Sequence, residues 1–160
     1  MATKTKYSTL QIVLHWLIAL LIIAAWLLSD GMGEALRTRV QSGATGIEGN
    51  TIHVWLGGAT FLLVLIRIVV RLIQGAPGPV PGGSELIEKA GVWGHRLLYV
   101  LMVLTPALGA ATWYGGIGFT GELHDLSSSA LMLVALGHAV MAIYHQFILK
   151  DGTLSRMRPH

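Results

Sequence analysis

The sequence predicts an all-α integral membrane protein folded as a four-helix bundle, and two observations lead to this fold class. The first is composition, because 53% of the 160 residues are hydrophobic and 12% are charged, whereas a soluble domain carries about a quarter charged residues. The second is that four segments are long and apolar enough to cross a bilayer, which takes about 20 residues of helix. The predicted spans are residues 10–29, 52–73, 92–113 and 126–149.

Turn-rich or polar connections join these spans. The first span lacks the small-residue cleavage site of a signal peptide, so we expect it to be retained. The connections read "SDGMGEALRTRVQSGATGIEGN", "QGAPGPVPGGSELIEKAG" and "YGGIGFTGEL". Because they are short and no internal repeat is evident, we expect residues 1–160 to form a single transmembrane domain.

The distribution of Lys and Arg predicts the orientation. With a cytoplasmic N-terminus, only Arg37 and Arg39 fall on the outer side, and this asymmetry is the one that sets membrane topology. We therefore expect both termini to be cytoplasmic. The net charge of +3 and the isoelectric point near 9.5 then reflect an inner basic belt and indicate no nucleic-acid partner. The belt consists of Lys4, Lys6, Arg67, Arg71, Lys89, Arg96, Lys150, Arg156 and Arg158.

Histidine is the soft metal ligand that this sequence offers. The absence of cysteine excludes disulfides, thiolate metal sites, iron–sulfur clusters and covalently attached c-type haem. The last span, "HDLSSSALMLVALGHAVMAIYHQF", contains three histidines separated by fourteen and seven residues. Ionisable groups inside a membrane are rare and usually functional, so these histidines indicate a site.

Depth in the membrane groups four histidines into two pairs. His53 and His124 lie at the outer ends of the second and fourth spans. His138 follows His124 by fourteen residues, which is ~21 Å along a helix and returns to within ~40° of the same face. His15 lies at a similar inner depth on the first span, about 13 Å from its inner end. We therefore expect His53 to face His124 and His15 to face His138.

Two stacked pairs of imidazoles, about 20 Å apart in a four-helix bundle, are what two six-coordinate haems require. Gly57, one turn after His53, suits the close approach of a flat macrocycle, with plain helix contact as the alternative. Packing histidines and a zinc site are the other interpretations, but a catalytic zinc needs three close ligands. Two imidazoles on each iron leave no open position, which favours one-electron transfer over oxygen chemistry.

Further polar groups lie near the predicted inner pair. Arg67 faces the bundle at inner depth and suits a haem propionate. His95, at the start of the third span, has three interpretations: a propionate contact, a quinone headgroup contact and a surface position. His145 has the same three interpretations, and because it lies close to Lys150 and Asp151 near the inner surface, it is also a candidate proton donor for quinone reduction.

Four stretches of the chain together carry a family resemblance. They are "KYSTLQIVLHWLIALL", "IHVWLGGATFLLVLIRIVVRL", "GHRLLYVLMVLTPALG" and "LGHAVMAIYHQFILKDGTLSRMRP". The stretches look like the bacterial cytochrome b561 family, the four-helix di-haem proteins of the inner membrane. The similarity covers nearly the whole chain. Its most distinctive part is "HQFILKDGTLSRM", because no general property of membrane helices requires that sequence.

The resemblance implies cofactors, partners and an activity. It implies that His15, His53, His124 and His138 are the ligands of two haems b, and that ubiquinone binds at the cytoplasmic side near His145. In the best-understood branch, superoxide gives its electron on the periplasmic face and ubiquinone is reduced through the haems. The resemblance therefore implies a superoxide:ubiquinone oxidoreductase.

The charges of the outer loops do not favour the attraction of superoxide, which is an anion. Arg37 and Arg39 share the first outer loop with Asp30, Glu34 and Glu48, and the second loop has no Lys or Arg, so a strong cationic funnel is not evident. One alternative function is a membrane-anchor subunit that relays electrons between quinone and a dehydrogenase, a hydrogenase or a periplasmic redox partner. Another is a helical scaffold without redox chemistry.

Overall fold

The computed structural model describes residues 6–78 and 85–157, and within these ranges the regular structure is entirely helical. Four of the helices are long and apolar enough to cross a membrane, which agrees with the predicted fold class. Lys4 and Arg158, which the orientation argument counts, lie outside the described residues. The helices are α1 (Thr9–Leu27), α2 (Met32–Ser42), α3 (Ile52–Gln74), α4 (Glu85–Trp113) and α5 (Phe119–Tyr144).

The helix boundaries differ from the predicted spans in two ways. α4 and α5 each begin seven residues before the predicted span, because a helix continues past its apolar part into the polar turns that hydropathy discounts. α2 was not predicted, since its sequence is polar and glycine-rich. Its ends are set by Gly31 and Gly43, both in the left-handed conformation (φ 76° and 66°), which glycine adopts without steric cost.

The membrane-spanning helices run up and down, and their contacts are uneven. α1 packs along α3, α4 packs along α5, and α3 packs against α4. By contrast, α5 approaches α1 and α3 at only a few points. We call the end of the bundle with residues 28–51 and 114–118 the loop end, and the end with residues 6–8, 75–78 and 150–157 the terminal end.

Apolar packing at mid-depth separates the two ends. One buried cluster contains Leu14, Ile18 and Val64, a second contains Leu98, Leu101 and Leu131, and Ile22 and Met102 pack against both. Most other large apolar side chains on the spanning helices are exposed, as lipid-facing side chains are. The packing between the two ends is therefore apolar at mid-depth.

Arg39 ties the loop end together. Its side chain is buried, with 7% of its surface exposed, and it donates hydrogen bonds to the backbone carbonyls of Glu48, Gly46 and Trp113. The guanidinium also lies 5.0 Å from the centroid of the Trp113 ring, a distance at which cation–π attraction is effective. One side chain thus joins α2 and its following loop to the end of α4.

The C-terminal hook, residues 145–157, closes the terminal end. α5 continues as a π-helical turn over His145–Leu149, and Lys150 then adopts the left-handed conformation (φ 52°) that reverses the chain. Trp16 of α1 donates its indole N–H to the carbonyl of Met157 at 3.3 Å. The hook therefore folds back over the start of α1.

A hydrogen-bonded pair, His145 and Asp151, holds the first turn of the hook. His145 Nδ1 lies 2.5 Å from Asp151 Oδ2, and the amide of Thr153 donates to the other carboxylate oxygen at 2.9 Å. Burial acts to raise the pKa of Asp151, but the hydrogen bonds from His145 and Thr153 outweigh it and lower the pKa to about 2. The carboxylate is thus ionised in the folded protein at neutral pH.

We predict that Arg39→Met lowers the free energy of unfolding by about 2–4 kcal/mol, because it leaves three backbone carbonyls without their donor. Arg37→Met is the matched control, since Arg37 is exposed and pairs only with Glu34, and it should cost less than about 0.5 kcal/mol. Thermal unfolding in detergent measures both variants. Equal losses for the two would contradict the role of Arg39.

We predict that Asp151→Asn lowers stability in a pH-dependent manner. The folded pKa of Asp151 lies below its unfolded value of 3.8, so the carboxylate stabilises the protein above about pH 4 and this contribution is lost as the pH falls toward 2. Thermal unfolding of both proteins between pH 6 and 2.5 should show a difference that shrinks with acidification. A difference independent of pH would show that the ionised carboxylate does not stabilise the hook.

Candidate functional site

Two histidines face each other at the loop end. His53 lies in the first turn of α3, which begins after Thr51, whose hydroxyl caps the helix. His124 lies in the second turn of α5. The centroids of the two rings are 6.0 Å apart and the ring planes are nearly perpendicular, at 86°. We call these residues the loop-end pair.

Each imidazole of the loop-end pair is oriented by a neighbouring helix. His53 Nδ1 lies 2.8 Å from the carbonyl oxygen of Ala25 in α1, and His124 Nδ1 lies 2.8 Å from that of Thr105 in α4. A carbonyl oxygen can only accept, so both Nδ1 atoms carry the proton. This tautomer leaves Nε2 of each ring with a lone pair for a metal ion.

The backbone of α4 lies directly against His124. A Cβ atom placed at Gly109 would lie 3.0 Å from Nδ1 and Cε1 of the His124 ring, closer than a side chain tolerates. Gly109 is therefore the residue that lets the ring reach the Thr105 carbonyl. α4 supplies no member of the loop-end pair, yet it fixes the position of one.

A second pair of histidines lies at the terminal end. The rings of His15 in α1 and His138 in α5 have centroids 6.2 Å apart and planes at 71°; we call them the terminal-end pair. His95 of α4 is a close neighbour, with its centroid 5.0 Å from that of His138. Its Nδ1 donates to the carbonyl of Gly91 at 2.6 Å. Because α4 begins early, His95 lies at the depth of this pair and not at the start of the span.

Arg67 of α3 also lies at the terminal end. Its Nη1 donates to the carbonyl of Gln11 at 2.7 Å, and Gln11 is one helical turn before His15. Gln11 itself is held by a capping box with Ser8, so the carbonyl that receives the guanidinium is fixed.

The remaining sequence-predicted residues surround the two pairs without joining them. A Cβ atom at Gly57, one turn after His53, would meet nothing within 4 Å, so space is open beside α3 at that level. His145 lies seven residues beyond His138, in the hook, and is bound by Asp151. The Lys150 side chain is exposed next to them.

The geometry of each histidine pair fits a single metal ion held between two opposed rings. Bonds of about 2 Å from a metal to two opposite imidazole nitrogens put the ring centroids about 6 Å apart, and the two observed separations are 6.0 and 6.2 Å. Both pairs connect α5 to α1 or α3, the helices that α5 otherwise approaches at few points.

Other metal chemistry finds no support in the residues described. They contain no group of three or more His, Cys, Asp or Glu side chains placed to hold a metal ion, as a zinc site would need. The sequence interpretation missed the carbonyls of Ala25 and Thr105 and the contact of Gly109 with His124. Backbone acceptors carry no residue-type signal. Gly109, three residues after Pro106, could have been recognised as a position of close approach, because it has no side chain.

Comparisons with known proteins find relatives that match almost the whole chain. A profile of the prokaryotic cytochrome b561 family matches residues 6–160. Cytochrome b562 of Cereibacter sphaeroides is 40% identical over 159 residues, which cover 98% of each chain. The probable superoxide oxidase CybB of Yersinia pestis is 33% identical over 175 residues and 96% of each chain. Cytochrome b561 homolog 2 of Escherichia coli is 25% identical over 97% of this chain and 92% of that protein.

The family match covers the four spanning helices and both histidine pairs. It confirms the resemblance found in the sequence. Membership of this family implies haem b as the cofactor and a location as a multi-pass protein of the bacterial inner membrane. The chain therefore belongs to the prokaryotic cytochrome b561 family of transmembrane electron-transfer cytochromes.

Proposed function

We propose that the chain carries electrons across the membrane through two haems b, one held by the loop-end pair and one by the terminal-end pair. The observation that carries this proposal is the ring separation of 6.0 and 6.2 Å in two pairs at opposite ends of the bundle. When bound, haem b would supply one-electron redox chemistry. With two histidines holding each haem, no position would be left for oxygen, so these sites would carry electrons and not activate oxygen.

The protein's own groups hold and shield these sites. The carbonyls that bind Nδ1 of the loop-end pair fix the ring orientation and leave Nε2 as the atom that would hold the haem iron. Leu131 lies seven residues from both His124 and His138 and, with Ile22, belongs to the apolar packing that keeps water out between the sites. Arg67 donates from one nitrogen to the carbonyl of Gln11, and its other N–H groups could bind a haem propionate.

In our proposal the terminal end faces the cytoplasm and the loop end faces the periplasm. The described basic residues that support this orientation cluster toward the terminal end, as the positive-inside rule requires. On this orientation the loop-end pair is the outer site and the terminal-end pair the inner one. The supporting residues are Lys6, Arg67, Arg71, Lys89, Arg96, Lys150 and Arg156.

We assign ubiquinone reduction to the terminal end, because full reduction of a quinone consumes two electrons and two protons. His145 is the group that would deliver protons. Its Nδ1 is hydrogen-bonded to Asp151 at 2.5 Å, so Nε2 is the atom left to contact a quinone oxygen, to which it would give its proton from the doubly protonated ring. The exposed Lys150 would hold positive charge beside the reduced headgroup, and His95, next to His138, is a second candidate for contact with the quinone or with a haem propionate.

Superoxide is our first candidate for the electron donor. The support is the family match together with the Yersinia pestis relative, which is 33% identical and is named a probable superoxide oxidase. The reaction would release oxygen at the loop end and reduce ubiquinone at the terminal end, as a superoxide:ubiquinone oxidoreductase does. Each superoxide gives one electron, so two are oxidised for each quinone fully reduced.

A soluble redox protein is the second candidate donor, and the charges of the loop end favour it. Arg37 is paired with Glu34 at 2.7 Å, and Arg39 is buried against backbone carbonyls, so neither offers free positive charge to an anion. The described carboxylates exceed these cations, which suits a basic partner. Here the chain would be the membrane relay of that partner. The carboxylates are Asp30, Glu34, Glu48, Glu122 and Asp125.

We predict that replacing either member of one histidine pair removes one haem. His53→Ala or His124→Ala should lose the loop-end haem, and His15→Ala or His138→Ala the terminal-end haem, because one imidazole cannot keep the iron six-coordinate. The pyridine haemochrome assay should fall from two haems per chain toward one in each variant. His145→Ala is the control that retains both haems, and unchanged haem content in the first four variants would refute the ligand assignment.

We predict that superoxide reduces the oxidised protein far faster than it reduces an unrelated cytochrome b of similar potential. Stopped-flow mixing measures the haem reduction, and added ubiquinone should then reoxidise the haems. In His145→Ala the first phase should be unchanged and the quinone phase slower by roughly 10²-fold, the size of a general acid contribution. Reduction no faster than in the unrelated cytochrome would remove superoxide as the donor. Haem reduction by a basic redox protein, at a rate that falls steeply with added salt, would favour the second candidate.

A further inference from the structure

Two threonine hydroxyls lie buried inside the bundle, one on α3 and one on α4. Thr60 and Thr105 are 6% and 7% exposed, and within the part of the chain that the structure describes neither hydroxyl has a hydrogen-bond partner. By contrast, the hydroxyl of Thr112 on α4 donates to the carbonyl of Leu108 at 3.1 Å. A buried hydroxyl without a partner is costly inside a membrane, so Thr60 and Thr105 both require one.

The two threonines lie at the same level on neighbouring helices. α3 and α4 pack against each other, and Trp113 at the end of α4 donates its indole N–H to Asn50, just before α3, at 2.8 Å. Counted from these two residues, Thr60 and Thr105 lie about 15 and 12 Å into the bundle. One turn deeper, the buried cluster around Val64 packs against α4. The two hydroxyls therefore face the same contact between α3 and α4.

Pro106 adds a third polar group at this level. Proline has no backbone N–H, so within α4 the carbonyl of Met102, four residues earlier, loses its usual helical donor. The side chain of a helical threonine points back toward the carbonyls of the preceding turn, and Met102 is three residues before Thr105. Two hydroxyls and one carbonyl therefore converge between α3 and α4.

We infer that these groups bind an internal water molecule, held by the hydroxyls of Thr60 and Thr105 and the carbonyl of Met102. A buried water typically makes about three hydrogen bonds to polar groups that have no other partner. This water donates to the carbonyl and to one hydroxyl and accepts from the other hydroxyl, so every group is satisfied. The site does not depend on the proposed electron transfer, because none of its three residues belongs to a histidine pair.

The protein itself encloses this site. The four histidines of the two pairs are only half-buried, as side chains that face a cofactor are, whereas Thr60 and Thr105 are covered by protein atoms. The site also lies on the loop-end side of both apolar clusters, since Val64 and Leu101 are each one turn deeper. The water is therefore an isolated structural molecule and not part of a continuous aqueous path.

The water connects the two helices that position the loop-end pair. Thr105 binds it through the hydroxyl, while the backbone carbonyl of Thr105 accepts the hydrogen bond from His124 Nδ1 at 2.8 Å. Thr60 lies about two turns from His53 on the same face of α3. The water thus ties the part of α4 that orients His124 to the helix that carries His53.

A high-resolution structure of the holoprotein tests the site directly. We expect an ordered water within about 2.7–3.2 Å of the Thr60 hydroxyl, the Thr105 hydroxyl and the Met102 carbonyl. A map that resolves other buried waters but none at this position would overturn the inference. A haem substituent in the same place would also overturn it.

A double-mutant cycle tests whether the two hydroxyls share one water. If the hydroxyls were unpaired, Thr60→Val and Thr105→Val would each stabilise the protein, because each removes an unsatisfied polar group. We expect each instead to lower the midpoint of thermal unfolding in detergent by about 2–4 °C. The double variant should lose no more than one single variant, since either change already removes the water. Stabilisation by the single variants would overturn the inference.

Thr38→Val is the control for this cycle, because Thr38 is exposed on α2. Its effect should simply add to that of Thr60→Val, as expected for separate sites. If the effects of Thr60→Val and Thr105→Val also add, each hydroxyl binds a carbonyl of its own helix and the shared water is refuted.

The EPR spectra of the same variants test the link to His124, and this readout rests on the proposed function. We expect Thr60→Val and Thr105→Val to shift the low-spin signal of the loop-end haem and to leave that of the terminal-end haem in place. An unchanged loop-end signal would overturn the link to His124. A wild-type protein without two haems refutes the proposed function, whereas the electron density and the mutant cycle decide the water site without reference to haem.

Discussion

The separation of α5 from α1 and α3 is the constraint on which the rest of the structure depends. Helices in a membrane gain little from the hydrophobic effect and associate through close packing, so a helix held away from two neighbours needs another interaction. Here the imidazoles of the two histidine pairs cross that space, with ring centroids 6.0 and 6.2 Å apart. A metal in each pair would complete the bundle, and cofactor binding is therefore part of folding in our account.

The ends of the bundle keep this space open by other means. At the loop end, Arg39 binds the loop before α3 to the last residue of α4. At the terminal end, the hook carries the chain from α5 back to α1, where the indole N–H of Trp16 donates a hydrogen bond to it. α4 supports α5 along its length, and through Thr105 and Gly109 it also sets the orientation of His124. The helix that supplies no proposed ligand thus controls one of them.

Much of this architecture could be predicted from the sequence because it is periodic. A run of apolar residues marks a span, and the fourteen-residue step from His124 to His138 returns to the same helix face. The rest depends on contacts that residue types do not encode. Arg37 and Arg39 differ by two positions, yet one is exposed and the other buried against carbonyls, and the contact of His95 with His138 follows from the early start of α4.

The most direct test of the central claim is the EPR spectrum of the oxidised holoprotein at low temperature. Ring planes at 71° and 86° are close to perpendicular, and perpendicular imidazoles on low-spin ferric haem give strongly anisotropic signals, whereas parallel imidazoles give rhombic ones. We predict two such anisotropic low-spin signals of equal intensity and no high-spin iron. A high-spin signal, or a single low-spin species with one haem per chain, would contradict the account.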